Sequence, residues 1–77
     1  MQHWENKLQY LKNELKSDII NNHGYISKQV LMTLIATNRT MRNRNEISKD
    51  RLEMLDQAIK LIWLETFDTE IEIISNF

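Results

Sequence analysis

The chain contains one glycine and no proline among its 77 residues, and this shortage constrains the fold more than any other feature. Glycine and proline form many of the turns and bends that join short strands. A β-sandwich or β-barrel needs many such turns and therefore fits this composition poorly. We expect an all-α fold, a small three-helix bundle built of helical hairpins, in a single domain that spans residues 1–77. Because the core is small and cysteine is absent, oligomerisation is a way to complete this bundle.

Apolar residues recur at helical spacing in three stretches, which we expect to be helices at about 3–21, 27–42 and 48–67. Ser27 and Ser48 stand immediately before the second and third of these patterns. A serine at this position can accept a hydrogen bond from an unpaired backbone N–H of the first helical turn. Both serines are therefore predicted to be N-caps.

The ends and the polar faces of the helices are also predicted from the pattern. Gly24 should end the first helix, since glycine tolerates the left-handed conformation of a C-cap. Lys12 and Lys16 are expected on the solvent face of the first helix, opposite its leucines. Asp56 is expected in the narrow polar strip of the third helix.

The third helix has an unusually wide apolar arc. Leu52, Ile59 and Trp63 share its central sector with other apolar residues, and Leu64 lies almost opposite that sector. Such an arc suits a helix that packs against two neighbours, and it can leave apolar surface uncovered. We therefore expect a protein partner, or a homodimer, to cover part of this helix. Residues 68–77 are expected to continue the helix or to become ordered on a partner.

The predicted partner interface combines apolar and acidic side chains. Tyr10 lies off the apolar face of the first helix, which makes it a candidate surface anchor. The tail is rich in carboxylates, which can contact a basic partner. The predicted interface residues are Tyr10, Leu61, Leu64, Phe67, Glu70 and Glu72.

The formal charges divide unevenly along the chain. Residues 1–45 carry seven basic and three acidic side chains, whereas residues 46–77 carry three basic and eight acidic ones. This asymmetry is compatible with an anionic partner for the first half or with head-to-tail self-association. It is equally compatible with ion pairs between the two halves inside the fold.

A second set of residues is a candidate contact for an anion or a nucleic acid. Arg39 and Arg42 share a helix face, and arginine matches phosphate geometry. Cations near a helix C-terminus also stabilise the helix dipole, which is the structural alternative. Residues 16–34 resemble a degenerate helix-turn-helix motif with Gly24 in its turn. The candidate contact residues are Lys28, Gln29, Arg39, Arg42 and Arg44.

Motifs for catalysis, cofactors or metals are not evident. One glycine cannot form a phosphate-binding loop, and the serines lie in no nucleophile-elbow context. His3 and His23 would lie about 30 Å apart on a straight helix at 1.5 Å per residue, too far to share a metal. We therefore expect a non-enzymatic protein with no cofactor and no metal. No signal peptide and no apolar run of about 20 residues is apparent, so we expect no membrane association and a cytoplasmic location.

These observations lead to two functional hypotheses. The first is a small regulator or inhibitor that acts by protein–protein binding. The abundance of isoleucine, asparagine and lysine is typical of AT-rich genomes and indicates a low-GC bacterium or its phage, which is compatible with a regulator encoded by a phage or mobile element. The alternative is a DNA-binding transcriptional regulator that uses residues 16–34 and the arginine cluster, which consists of Arg39, Arg42 and Arg44.

Overall fold

The computed structural model describes the backbone of residues 2–73 and the side chains of residues 5–73. It contains three α-helices, α1 at Gln2–His23, α2 at Lys28–Asn43 and α3 at Lys49–Phe67, and residues 2–73 contain no strand. The predicted all-α bundle of three helices is therefore confirmed.

The helix ends follow from local backbone chemistry. Gly24 adopts a left-handed φ of 84°, and its N–H donates to the carbonyl oxygen of Ile20 at 2.8 Å. The asparagines before it remain within the last turn, so α1 ends slightly later than predicted. The hydroxyl oxygens of Ser27 and Ser48 accept from the N–H groups of Val30 at 3.1 Å and Arg51 at 3.0 Å. Both predicted N-caps are confirmed, and α2 and α3 each begin one residue after their serine.

The third helix is the centre of the fold. Both α1 and α2 pack against α3, and most of the buried apolar side chains belong to it. This arrangement explains the wide apolar arc, because α3 must present one sector to each neighbour. The buried apolar side chains are Leu11, Ile19, Leu31, Leu52, Leu55, Ala58, Ile59, Ile62 and Trp63.

Two polar side chains that were expected in solvent are buried, so those predictions are wrong. Lys12 is only 7% exposed to solvent, and Asp56 is only 5% exposed. Lys12 pairs with Glu65 of α3, and Asp56 pairs with Arg39 of α2. Helical periodicity does not show that a charge on one helix will meet an opposite charge on another, and this pairing is what permits the burial.

The helical extension expected for the tail is wrong for residues 68–73. Asp68 is left-handed, with φ 56° and ψ 31°, and its N–H donates to the carbonyl oxygen of Leu64 at 2.9 Å. Phe67 already lies beside Lys28, the first residue of α2, so a longer α3 would extend past α2. The tail leaves the helix instead, and Ile71 and Ile73 pack against the core. Residues 74–77 lie outside the described residues.

Candidate functional site

A groove of about 590 Å³ runs between the outer face of α3 and the tail, and we call it the α3–tail groove. Its apolar lining residues are Leu61, Leu64 and Ile71, and its charged lining residues are Lys60, Glu70 and Glu72. The groove therefore joins a hydrophobic surface to a charged rim.

The sequence of α3 places two different surfaces on opposite sides of one helix. Ile62 is fully buried and Trp63 is 8% exposed on the core side. Leu61 and Leu64 are three residues apart and therefore project to the same side, towards the groove. Leu64 remains 42% exposed, as its position opposite the apolar sector predicted.

The tail is held in place at both ends of its described part. The indole Nε1 of Trp63 donates a hydrogen bond to the hydroxyl of Thr69 at 3.2 Å. Ile71 and Ile73 are half-buried against the core, while Glu70 and Glu72 are exposed. These contacts orient the two carboxylates outwards along the edge of the groove.

A second, smaller groove of about 230 Å³ lies on the other flank of the tail, against α2. Met32 lines it and is 57% exposed. Ile71 and Glu72 line both grooves, so the tail forms a ridge between them.

The structure brings together four of the six predicted interface residues. Leu61, Leu64, Glu70 and Glu72 all line the α3–tail groove. Phe67 is turned towards the core instead, and its ring meets that of Trp63 edge-on at a centroid distance of 5.3 Å.

Tyr10 lies apart from this groove, on the outer surface of α1. It is 66% exposed and borders a shallow depression of about 320 Å³. The neighbouring carboxylate of Glu14 raises the pKa of the Tyr10 hydroxyl above its usual 10.0, because it favours the protonated phenol. Tyr10 is thus a separate surface feature.

Sequence reasoning missed two residues of the α3–tail groove, Lys60 and Ile71. Lys60 lies within the predicted third helix, and nothing in the sequence places it beside the tail. Ile71 belongs to the alternating run of glutamate and isoleucine at residues 70–73. Alternation of polar and apolar residues is typical of an extended segment with one face against the core, so it could have indicated that the tail is not helical.

Ion pairs connect the basic first half of the chain to the acidic second half. The carboxylate of Glu65 accepts from the Nζ atoms of Lys12 and Lys16, the latter at 3.1 Å. These two cations hold the pKa of Glu65 below its usual 4.5. Part of the charge asymmetry is therefore neutralised inside the fold.

Arg39 occupies a structural position between α2 and α3. Its guanidinium donates two hydrogen bonds to the carboxylate of Asp56, at 3.2 and 3.1 Å, and one to the carbonyl oxygen of Ile35 at 3.3 Å. This bidentate geometry is a strong form of ion pair. It explains how Asp56 can be buried within an otherwise apolar helix face.

The other predicted anion-contact residues are spread over the surface. Arg42 donates to the carbonyl oxygen of Ile47 at 3.3 Å, and the ammonium of Lys28 lies 5.3 Å from the centroid of the Phe67 ring. Gln29 and Arg44 are exposed. Their role as nucleic-acid contacts stays a prediction.

Within residues 5–73, no cluster of three histidine or acidic side chains is placed to hold a metal ion. None of the three helices is long and apolar enough to cross a lipid bilayer. Comparisons with protein-family models, with curated proteins and with solved structures found no match to this chain.

Proposed function

We propose that this chain is a non-enzymatic protein that acts by binding another protein in the α3–tail groove. The observation that carries this proposal is the accessible apolar lining of the groove, formed by Leu61, Leu64 and Ile71. Burial of such a surface against a partner is favourable, because it removes apolar area from water.

The position of Leu64 supports the proposal. The core-facing apolar side chains of α3, such as Ile59 and Ile62, are already buried, so Leu64 is not needed to complete the core. Its 42% exposure leaves it available as an anchor for a partner side chain. An anchor surrounded by polar residues is typical of the centre of a protein interface.

The charges at the rim favour a basic partner. Asp56 and Glu65 are paired with cations of α1 and α2. Among residues 5–73, no ion pair involves Glu70 or Glu72, and both side chains are exposed. Complementary charge would steer a lysine- or arginine-bearing segment towards the groove. A small protein that covers a basic segment of its target in this way would act as a regulator or inhibitor.

Selection from a random peptide display library tests the proposal without a known partner. The wild-type chain is the target, and a variant carrying Leu61→Glu and Leu64→Glu is used for counter-selection. We expect enriched peptides that combine apolar and basic residues and that bind the wild type at least tenfold more tightly than the variant, a difference of about 1.4 kcal/mol.

A control places a single substitution of the same kind, from an exposed apolar side chain to glutamate, outside the groove. Tyr10→Glu alters an exposed aromatic residue on α1 and should leave binding of the selected peptides unchanged. Peptides that bind the groove variant as tightly as the wild type, or the absence of any enrichment, would refute the proposal.

A second copy of the chain is also a protein partner, so we propose homodimer formation as a separate expectation. Sedimentation velocity over a range of concentrations tests it, because self-association depends on protomer concentration. A dimer that Leu64→Glu dissociates would place the self-interface at α3. A single monomeric species throughout would refute this expectation.

DNA binding through residues 16–34 and the arginine cluster is the alternative proposal. Fluorescence anisotropy with random-sequence duplex DNA tests it at about 50 and 200 mM salt, a range in which phosphate contacts weaken strongly. Salt-sensitive binding that Arg44→Ala reduces would support it. Absence of binding at low salt would eliminate it.

A further inference from the structure

The tail carries backbone groups that no other part of the described structure uses. Outside the helices, the backbone hydrogen bonds among residues 2–73 lie at helix ends and in the two connections, and Asp68 is the last residue to take part. Residues 70–73 therefore leave their N–H and C=O groups unpaired within the described chain. Unpaired backbone groups of this kind are a template for strand addition.

Residues 70–73 also have the side-chain pattern of a β-strand. They form neither helix nor turn, and their exposure alternates strictly, with Glu70 and Glu72 exposed and Ile71 and Ile73 half-buried. Alternation with a period of two is the signature of an extended backbone with one face against a core. In such a backbone, the hydrogen-bonding groups of alternate residues point to each flank.

We propose that residues 70–73 accept an added β-strand from a protein partner whose side chains alternate between apolar and basic. The added strand would lie in the α3–tail groove, about 4.8 Å from the tail. This inference rests on the proposed function, because it assigns the occupant of the same groove. It goes further by stating the backbone conformation and the side-chain pattern of that occupant.

The residues that line the groove determine which side chains must alternate along the partner strand. In two paired strands, side chains alternate between the same two faces of the sheet. Every second side chain of the partner would therefore lie on the inner face, against Leu61 and Leu64. The intervening side chains would lie on the outer face beside Glu70 and Glu72. Opposite charges stabilise such cross-strand pairs, so these positions call for lysine or arginine.

Two other occupants fit the groove less well. A second copy of residues 70–73 would place glutamate opposite glutamate, and like charges directly across a strand pair are destabilising. A helical partner satisfies its own backbone hydrogen bonds and would leave those of residues 70–73 unpaired. Of these three occupants, only an extended basic segment contacts the apolar lining, pairs with the carboxylates and forms hydrogen bonds with the backbone groups of residues 70–73.

A seven-residue peptide of alternating lysine and valine tests the inference. Its binding to the full chain is measured by fluorescence anisotropy, and its site is located from backbone amide NMR signals. We expect shifts and slowed hydrogen exchange at residues 70–73. Methylation of the peptide nitrogens on the pairing edge should weaken binding at least tenfold, because it removes donors and keeps the side chains.

Charge reversal in the chain provides a second measurement. Glu70→Lys combined with Glu72→Lys should weaken peptide binding about tenfold, since it turns cross-strand attraction into repulsion. Glu46→Lys combined with Glu53→Lys is the matched control, because it changes the net charge equally at exposed positions outside the groove. The control variant should bind as the wild type does.

The outcomes separate this inference from the proposed function. Equal binding of the methylated peptide, equal weakening by the two charge reversals, or no binding of the alternating peptide would overturn the strand-addition inference. If library-selected peptides still bind in the groove, the proposed function stands and only the mode of recognition is wrong. If neither kind of peptide binds, both are refuted.

Discussion

The buried carboxylate of Asp56 depends on the guanidinium of Arg39 beside it, and Arg39→Met tests this dependence. The substitution keeps an apolar stem of similar length but leaves the Asp56 carboxylate buried without the guanidinium. Removing one partner of a buried pair costs about 3–5 kcal/mol. The side chain of Arg39 is 19% exposed, so the opened site can regain some water, and we expect the lower end, about 3 kcal/mol. A chain of this length has a total stability of about 4–12 kcal/mol.

Urea unfolding followed by far-ultraviolet circular dichroism measures this loss. The double variant Arg39→Met with Asp56→Leu removes both charges and should lie within about 1 kcal/mol of the wild type, because neither member of the pair is left buried without the other. A loss below about 1 kcal/mol in Arg39→Met alone would refute the reasoning. Arg39 would then again be a candidate for contact with an anion rather than a structural residue.

Three further predictions test the core, the α1–α3 contact and the tail. Leu64→Glu should change the free energy of unfolding by less than about 0.5 kcal/mol because Leu64 is 42% exposed. Ile62→Ala, at a fully buried position, should cost about 2–5 kcal/mol, and equal losses in urea unfolding would place Leu64 in the core. The folded-state pKa of Glu65 lies below 4.5, so its stabilising effect is complete above pH 4.5 and is lost as the pH falls through the lowered value. Glu65→Gln should therefore reduce the loss of stability in acid, and an unchanged pH dependence would contradict the Lys12 and Lys16 contacts. Thr69→Val removes the acceptor of the Trp63 indole and should cost about 1–2 kcal/mol in urea unfolding, and a loss near zero would contradict this hydrogen bond.

The helices were predictable because their signals are local. An N-cap such as Ser27 contacts a backbone group three residues away, and Gly24 ends α1 through its own φ angle. The core face of α3 was also readable, since periodicity alone places Ile59 and Trp63 on one side. None of these features requires knowledge of which helix lies next to which.

The candidate site was predictable only in part. Leu64 could be assigned to the outer face of α3 because periodicity places it opposite the core residues. That Leu61 and Leu64 share a groove with Glu70 and Glu72 depends on the tail turning back at Asp68. A helical continuation also agreed with the spacing of Phe67 and Ile71, so the sequence left the direction of the tail open.

The sequence by itself determined the class of fold, the N-caps of α2 and α3, the turn at Gly24 and the wide apolar arc of α3. Backbone conformational preferences and apolar periodicity act over a few residues, and these features depend on nothing else. Only the tertiary structure decided that Lys12 and Asp56 are buried and that the tail forms one side of a groove. Those outcomes depend on charges and surfaces far apart in the chain, such as Arg39 beside Asp56, which meet only after the helices have packed.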